Sequence, residues 1–221
     1  MGFFASMPVP EPPEPPRIVR PPEWQHPGDN VVPVGLAVGD GLLVRRAALA
    51  VFLSGVSVYP NGFVFEVTAL RRRVAGRHFD AVEENPFGGR WGHVGERAES
   101  ERLLRFGVEY ADGRGAVPDL DMRRLTRDTA PEPPFMTRRG GHGGQGEWEQ
   151  HYWVWGLPEQ GDVSLVYSWL AEDVAESRFE LGGDALRAAA GRAVRLWNEA
   201  EDDEEEAGSR GDGGGGDVVE G

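Results

Sequence analysis

One stretch limits the fold of this chain more than any other: LAVFLSGVSVYPNGFVFEVTAL, residues 49–70. Two runs of β-branched and aromatic residues flank Tyr59-Pro60-Asn61-Gly62. Pro presets φ at the first turn position, Asn tolerates the second, and Gly offers a positive φ. The sequence therefore predicts a β-hairpin. In the second arm Phe63, Phe65 and Val67 share one face, and Val64, Glu66 and Thr68 share the other. In the first arm Ser54-Gly55 breaks the alternation, which predicts a β-bulge.

Other segments have the same character. VVPVGLAV and GLLVRRA read as short strands, the first an edge strand because of Pro33. RLLRFGVEYADGRGAV reads as a strand, a tight Asp112-Gly113 turn and a short strand. Phe106, Val108 and Tyr110 point inward there, and Arg105 and Glu109 outward. HYWVWGLP puts Trp153 and Trp155 on one face and Tyr152 and Val154 on the other. A strand apolar on both faces is expected to be covered on both. It reads as the first arm of a hairpin with VSLVYSW, in which Val163, Leu165, Tyr167 and Trp169 alternate with Ser164, Val166 and Ser168. AESRFELGG is a further strand. GDALRAAAGRAVRLW predicts a helix, with Asp184 as N-cap and Leu186, Ala190, Ala193, Val194 and Trp197 as its apolar stripe.

Many short strands and one short C-terminal helix predict an all-β fold: an immunoglobulin-like antiparallel β-sandwich over 31–197. Long loops are expected at 74–101 and 118–147. Residues 1–30 form a Pro-rich leader, expected to be extended and disordered, with Trp24 as the residue able to anchor it. Residues 198–221 are acidic and Gly-rich and are expected to be disordered.

Charge separates the same three regions. The chain carries a net charge of −14, with −2 in 1–30, −9 in 198–221 and −3 in the remainder. A nearly neutral body offers no electrostatic footprint for nucleic acid, and the tail repels phosphate. The chain has 23 basic residues besides histidine, all of them Arg, and no Lys. A lysine Schiff base, general base or P-loop cation is thereby excluded. Cys is absent, which excludes disulfides and thiolate-bound metals. No apolar run approaches the roughly 18 residues of a membrane helix. The expected setting is the cytoplasm of a bacterium.

The segments YPNGFVFEV, LRFGVEYADG, HYWVWGLPEQGDVSLVYSW and ALRAAAGRAVRLW resemble an uncharacterised family of proteins from high-GC bacteria. The resemblance spans most of 28–197. Its motifs are turns, strand cores and a helix, so it implies a single cytoplasmic domain and no catalytic residue.

Motifs that carry chemistry are few. GGHGGQG contains G-x-G-x-x-G at Gly141, Gly143 and Gly146, but a strand follows it where a dinucleotide fold needs a helix. A flexible glycine loop explains it. No H-E-x-x-H or G-x-S-x-G occurs. Of the five histidines, His78 and His93 lie in the 74–101 loop near Asp80, Glu83 and Glu84, a composition that permits a metal site but fits solvated loop residues better. Glu109 and Asp112 support hydrolysis only in a cleft that raises one pKa. The run EDDEEE suits a solubilising tail. Trp91, His93 and Trp148, in polar, glycine-rich surroundings, are the binding candidates. No catalytic residue, metal ligand or cofactor is assigned. The sequence points to a non-catalytic interaction module that binds a protein partner or itself. The alternatives are a hydrolase or metal-dependent enzyme centred on the 74–101 loop, and a small-molecule or glycan-binding sandwich.

Overall fold

The computed structural model describes residues 21–28, 30–72, 85–88, 102–118 and 130–197. They form β1 (Val31–Val32), β2 (Val34–Gly35), β3 (Leu42–Arg45), β4 (Leu49–Tyr59), β5 (Gly62–Arg71), β6 (Arg105–Tyr110), β7 (Gly115–Ala116), β8 (Phe135–Gly144), β9 (Glu147–Trp155), β10 (Val163–Trp169), β11 (Val174–Leu181), α1 (Gly183–Ala190) and β12 (Val194–Arg195). A six-stranded sheet runs β2-β4-β5-β9-β8, with β3 also on β4; a four-stranded sheet runs β11-β10-β6-β7; β1 and β12 form a two-stranded ribbon. The pairings between strands are antiparallel. Residues 1–20, 198–221 and most of the 74–101 loop lie outside the described residues. Among the described residues no helix is long and apolar enough to cross a membrane.

The β4–β5 hairpin forms as expected, with its register shift between Leu53 and Gly55. That bulge has a packing consequence. Val51 and Leu53 face the core before it, and Val56 and Val58 after it. Inward positions change from odd to even, so one extra residue keeps the whole strand apolar inward. Gly62 is used differently from the expectation. It does not take a positive φ. It opens β5 opposite Trp155, where a Cβ would lie 2.1 Å from the Val154 carbonyl oxygen. Close backbone approach, and not turn geometry, requires glycine there.

The two large sheets share one core, in a sandwich-like arrangement. Phe65 stacks on Tyr152 within the first sheet at 4.9 Å, and Phe106 of the second lies 6.0 Å from Phe65 and 5.6 Å from Tyr152. Phe106, Val108 and Tyr110 are buried, as are Val163, Leu165, Tyr167 and Trp169. Alternation along β6 and β10 therefore read correctly.

Three expectations are corrected. First, HYWVW does not pair with VSLVYSW. β9 lies between β5 and β8, and β10 lies between β6 and β11 in the other sheet. Each has a better-matched apolar neighbour, and the intervening 156–162 turn carries the chain across. Second, 118–147 is not one long loop, because β8 runs through its glycines and joins β9 by a two-residue turn, Gln145-Gly146, with φ of 58° and 93°. Positive φ at both turn residues suits the twist of a tight hairpin. Third, the helix stops at Ala190. Gly191 closes it, and Val194-Arg195 instead pair with Val31-Val32. Its N-cap is Gly182; Asp184 sits in the first turn paired with Arg187, and Asp162 Oδ1 accepts from the Gly183 N–H at 2.9 Å.

Candidate functional site

The six-stranded sheet has one face on the core and one outside. On β9, Trp148, Tyr152 and Val154 belong to the core. Glu149, His151, Trp153 and Trp155 alternate with them and face outward. One end of this outer face is covered by residues of the leader. Trp24 is buried there, edge-on to Phe135 at 5.6 Å, and its carbonyl accepts the Trp153 indole N–H at 3.1 Å. Trp153 is fully buried; Trp155, expected to be equally buried, is only partly so, because it stands at the strand end. The expectation that β9 is covered on both faces holds from Tyr152 to Val154.

Past Trp153 the outer face turns polar. Glu66 on β5 stands directly opposite His151 on β9, and Glu149 lies two residues along the same strand. The ligand-type atoms of all three lie within 4.8 Å of one another, partly buried. His151 Nε2 is 2.5 Å from Glu149 Oε1. The β8 bulge between Arg138 and Gly141 brings His142 opposite Glu149, with Nδ1 3.9 Å from Glu149 Oε1. Neither Glu66 nor Glu149 pairs with an arginine among the described residues. Two carboxylates and an imidazole can exchange protons or share a cation.

The sequence-derived candidates fall elsewhere. Trp91 and His93, with His78, lie outside the described residues. Trp148 is 3% exposed and part of the core. The neighbouring glycines explain the reversal: a Cβ at Gly143 would come within 2.5 Å of the Trp148 ring, so the absent side chain makes room for the indole. The glycine run, taken as a sign of exposure, allows burial. The acids Glu109 and Asp112 are each committed to an arginine. Glu109 pairs with Arg178 at 2.9 Å and Asp112 with Arg114 at 2.6 Å. The Arg114 side-chain hydrogen bond holds the Asp112 carboxyl below its usual range, the opposite of what a general acid needs.

The sequence did carry a trace of the Glu66–Glu149–His151 cluster. E-x-H at 149–151 puts two polar groups on one face of a strand otherwise apolar toward its end, and Glu66 is the charged interruption of an apolar arm. What the sequence lacked was the pairing of β5 with β9, which alone joins them.

A second surface lies at the β1–β12 ribbon. Val32 and Val194 are paired across it, and Leu196 follows on the same face; with Trp197 they are between 47% and 58% exposed. The adjoining groove, of about 220 Å³, is lined by Pro21, His26, Asn30, Pro60, Arg195 and Trp197 among others.

Fold and surfaces together define the class: a predominantly antiparallel, sandwich-like β protein with one short helix, an outward carboxylate–imidazole cluster and an apolar ribbon. No family model, curated protein or solved structure matches the chain.

Proposed function

We propose that the protein is a non-catalytic β-sandwich module that binds a protein partner, a second copy of itself included, through the β1–β12 ribbon. The observation that carries this reading is the exposed apolar face of Val32, Val194 and Leu196 on the ribbon, with the exposed Trp197 lining the adjoining groove. Large apolar side chains grouped on a surface favour association, and covering each fully is worth up to roughly 1.5–3 kcal/mol. The groove beside them favours a protein over a small molecule. At about 220 Å³ it is smaller than the roughly 300–1,000 Å³ of typical ligand sites. The immunoglobulin-like class and membership of the high-GC bacterial family belong to the same proposal. Two antiparallel sheets around one core support the first, and the second rests on the resemblance of segments such as YPNGFVFEV and HYWVWGLPEQGDVSLVYSW.

The test compares the full chain with a Val194→Asp, Leu196→Asp variant as bait in host lysate, alongside sedimentation of each alone. The wild type is expected to capture a partner or self-associate, and the variant to do neither while melting at the same temperature. Identical capture and sedimentation by both chains contradicts the reading.

A further inference from the structure

We propose that Glu66, Glu149 and His151 form a site for a first-row divalent transition-metal ion of which Zn²⁺ is representative. The inference is independent of the ribbon's role. It rests first on register. Glu66 and His151 are cross-strand partners on β5 and β9, and Glu149 is the next outward residue on β9. Both strands are interior to the six-stranded sheet, so the donors stand on backbone paired on both sides.

Distances come next. An ion with bonds of about 2.0–2.2 Å in tetrahedral geometry holds its donors roughly 3.3 Å apart. The three donors already lie within 4.8 Å of one another. The tightest pair, His151 Nε2 and Glu149 Oε1 at 2.5 Å, needs to part by less than about 1 Å, a side-chain adjustment. Glycine at the β4 bulge opens space for the third donor, since a Cβ on Gly55 would stand 2.9 Å from Glu66 Oε2.

Charge and donor type select the ion. Two carboxylates balance a 2+ charge, and the arginine-rich chain places no guanidinium on either of them among the described residues. One imidazole among the donors favours Zn²⁺ and its neighbours over Ca²⁺ and Mg²⁺, which prefer oxygen alone. Binding through Nε2 releases any proton held there to solvent and leaves the other on Nδ1. His142, exposed and 3.9 Å from Glu149, is placed to approach the fourth position; water is its competitor.

The experiment titrates Zn²⁺ calorimetrically into the full chain, stripped with chelator, and into Glu66→Gln and His151→Gln. Wild type is expected to bind one ion that each substitution weakens by about 100-fold or more, since even outer-shell changes cost 10–100-fold. Weak binding by the acidic run 201–206 persists in all three chains and cancels in the comparison. Equal affinities in wild type and variants overturn the proposal. A second measurement needs no variant: ¹⁵N imidazole spectra of the wild type. Zn²⁺ is expected to shift the His151 ring nitrogens, and shifts confined to other histidines overturn the proposal.

Discussion

At the scale of single residues, the buried phenols make a prediction about pH. Tyr152 is wholly enclosed, and Tyr110 nearly so with its hydroxyl donating to the Gly156 carbonyl at 2.6 Å. Burial raises both pKa values well above the ordinary phenol value. In the unfolded chain both ionise near pH 10, while the folded chain keeps them neutral. Stability they contribute is therefore complete below pH 10 and falls as pH rises beyond it, by up to about 1.4 kcal/mol per pH unit for each. Urea midpoints measured from pH 8 to 11 should be level at first and then fall; midpoints unchanged to pH 11 refute enclosure. Two apolar positions of the stripe read as helical in the sequence separate sharply. Leu186→Ala should cost about 2–5 kcal/mol, because Leu186 is fully buried on the inner side of α1. Trp197→Ala should change stability by less than about 0.5 kcal/mol, because Trp197 is exposed. Equal losses would restore the continuous helical stripe read from the sequence.

At the scale of elements, legibility follows the range of the physics. The β4–β5 hairpin was readable because its partners are joined by two residues, Pro60-Asn61, and its faces alternate in phase. The bulge was readable because Ser54-Gly55 breaks that phase. Deleting Ser54 removes the extra residue, so Val56 and Val58 should stay inward on an unbroken β4–β5 ladder and the chain should keep its cooperative thermal transition; loss of that transition would show that the bulge itself is needed for the fold. β8 was hidden because its alternation is carried by glycines, whose contribution is the room they leave for Trp148. The helix was overestimated because Ala193 to Trp197 keep helical spacing, while a distant strand partner, Val31-Val32 opposite Val194-Arg195, competes for the same backbone. Local periodicity contains no information about that competitor. The Glu66–Glu149–His151 cluster was missed for the same reason, since its members meet only through β5–β9 pairing.

At the scale of the whole molecule, that pairing is the hinge of the topology, and the cysteine-free chain makes it simple to test. Leu70 and Glu147 are partners at the far end of β5 and β9. A Leu70→Cys, Glu147→Cys chain should close a disulfide under mild oxidation, as cross-strand neighbours reach the Cα spacing a disulfide needs. Failure to close would favour the β9–β10 hairpin read from the sequence. The molecule as a whole then has two working surfaces at different places: the proposed cation-binding outer face of the six-stranded sheet, and the ribbon where Val31-Val32 meet Val194-Arg195. Leu196 N–H donates to the Asn30 carbonyl there at 2.7 Å, and Asn30 reaches the Trp197 carbonyl at 3.2 Å. The ribbon's function is tested most directly by photo-cross-linking in the native host, with the cross-linking residue at position 194 in one chain and at position 176, on the charged edge strand β11, in another. The account predicts a discrete cross-linked protein, or a dimer of the chain, from position 194 and none from 176. Equal labelling from both positions, or none from 194, would contradict it.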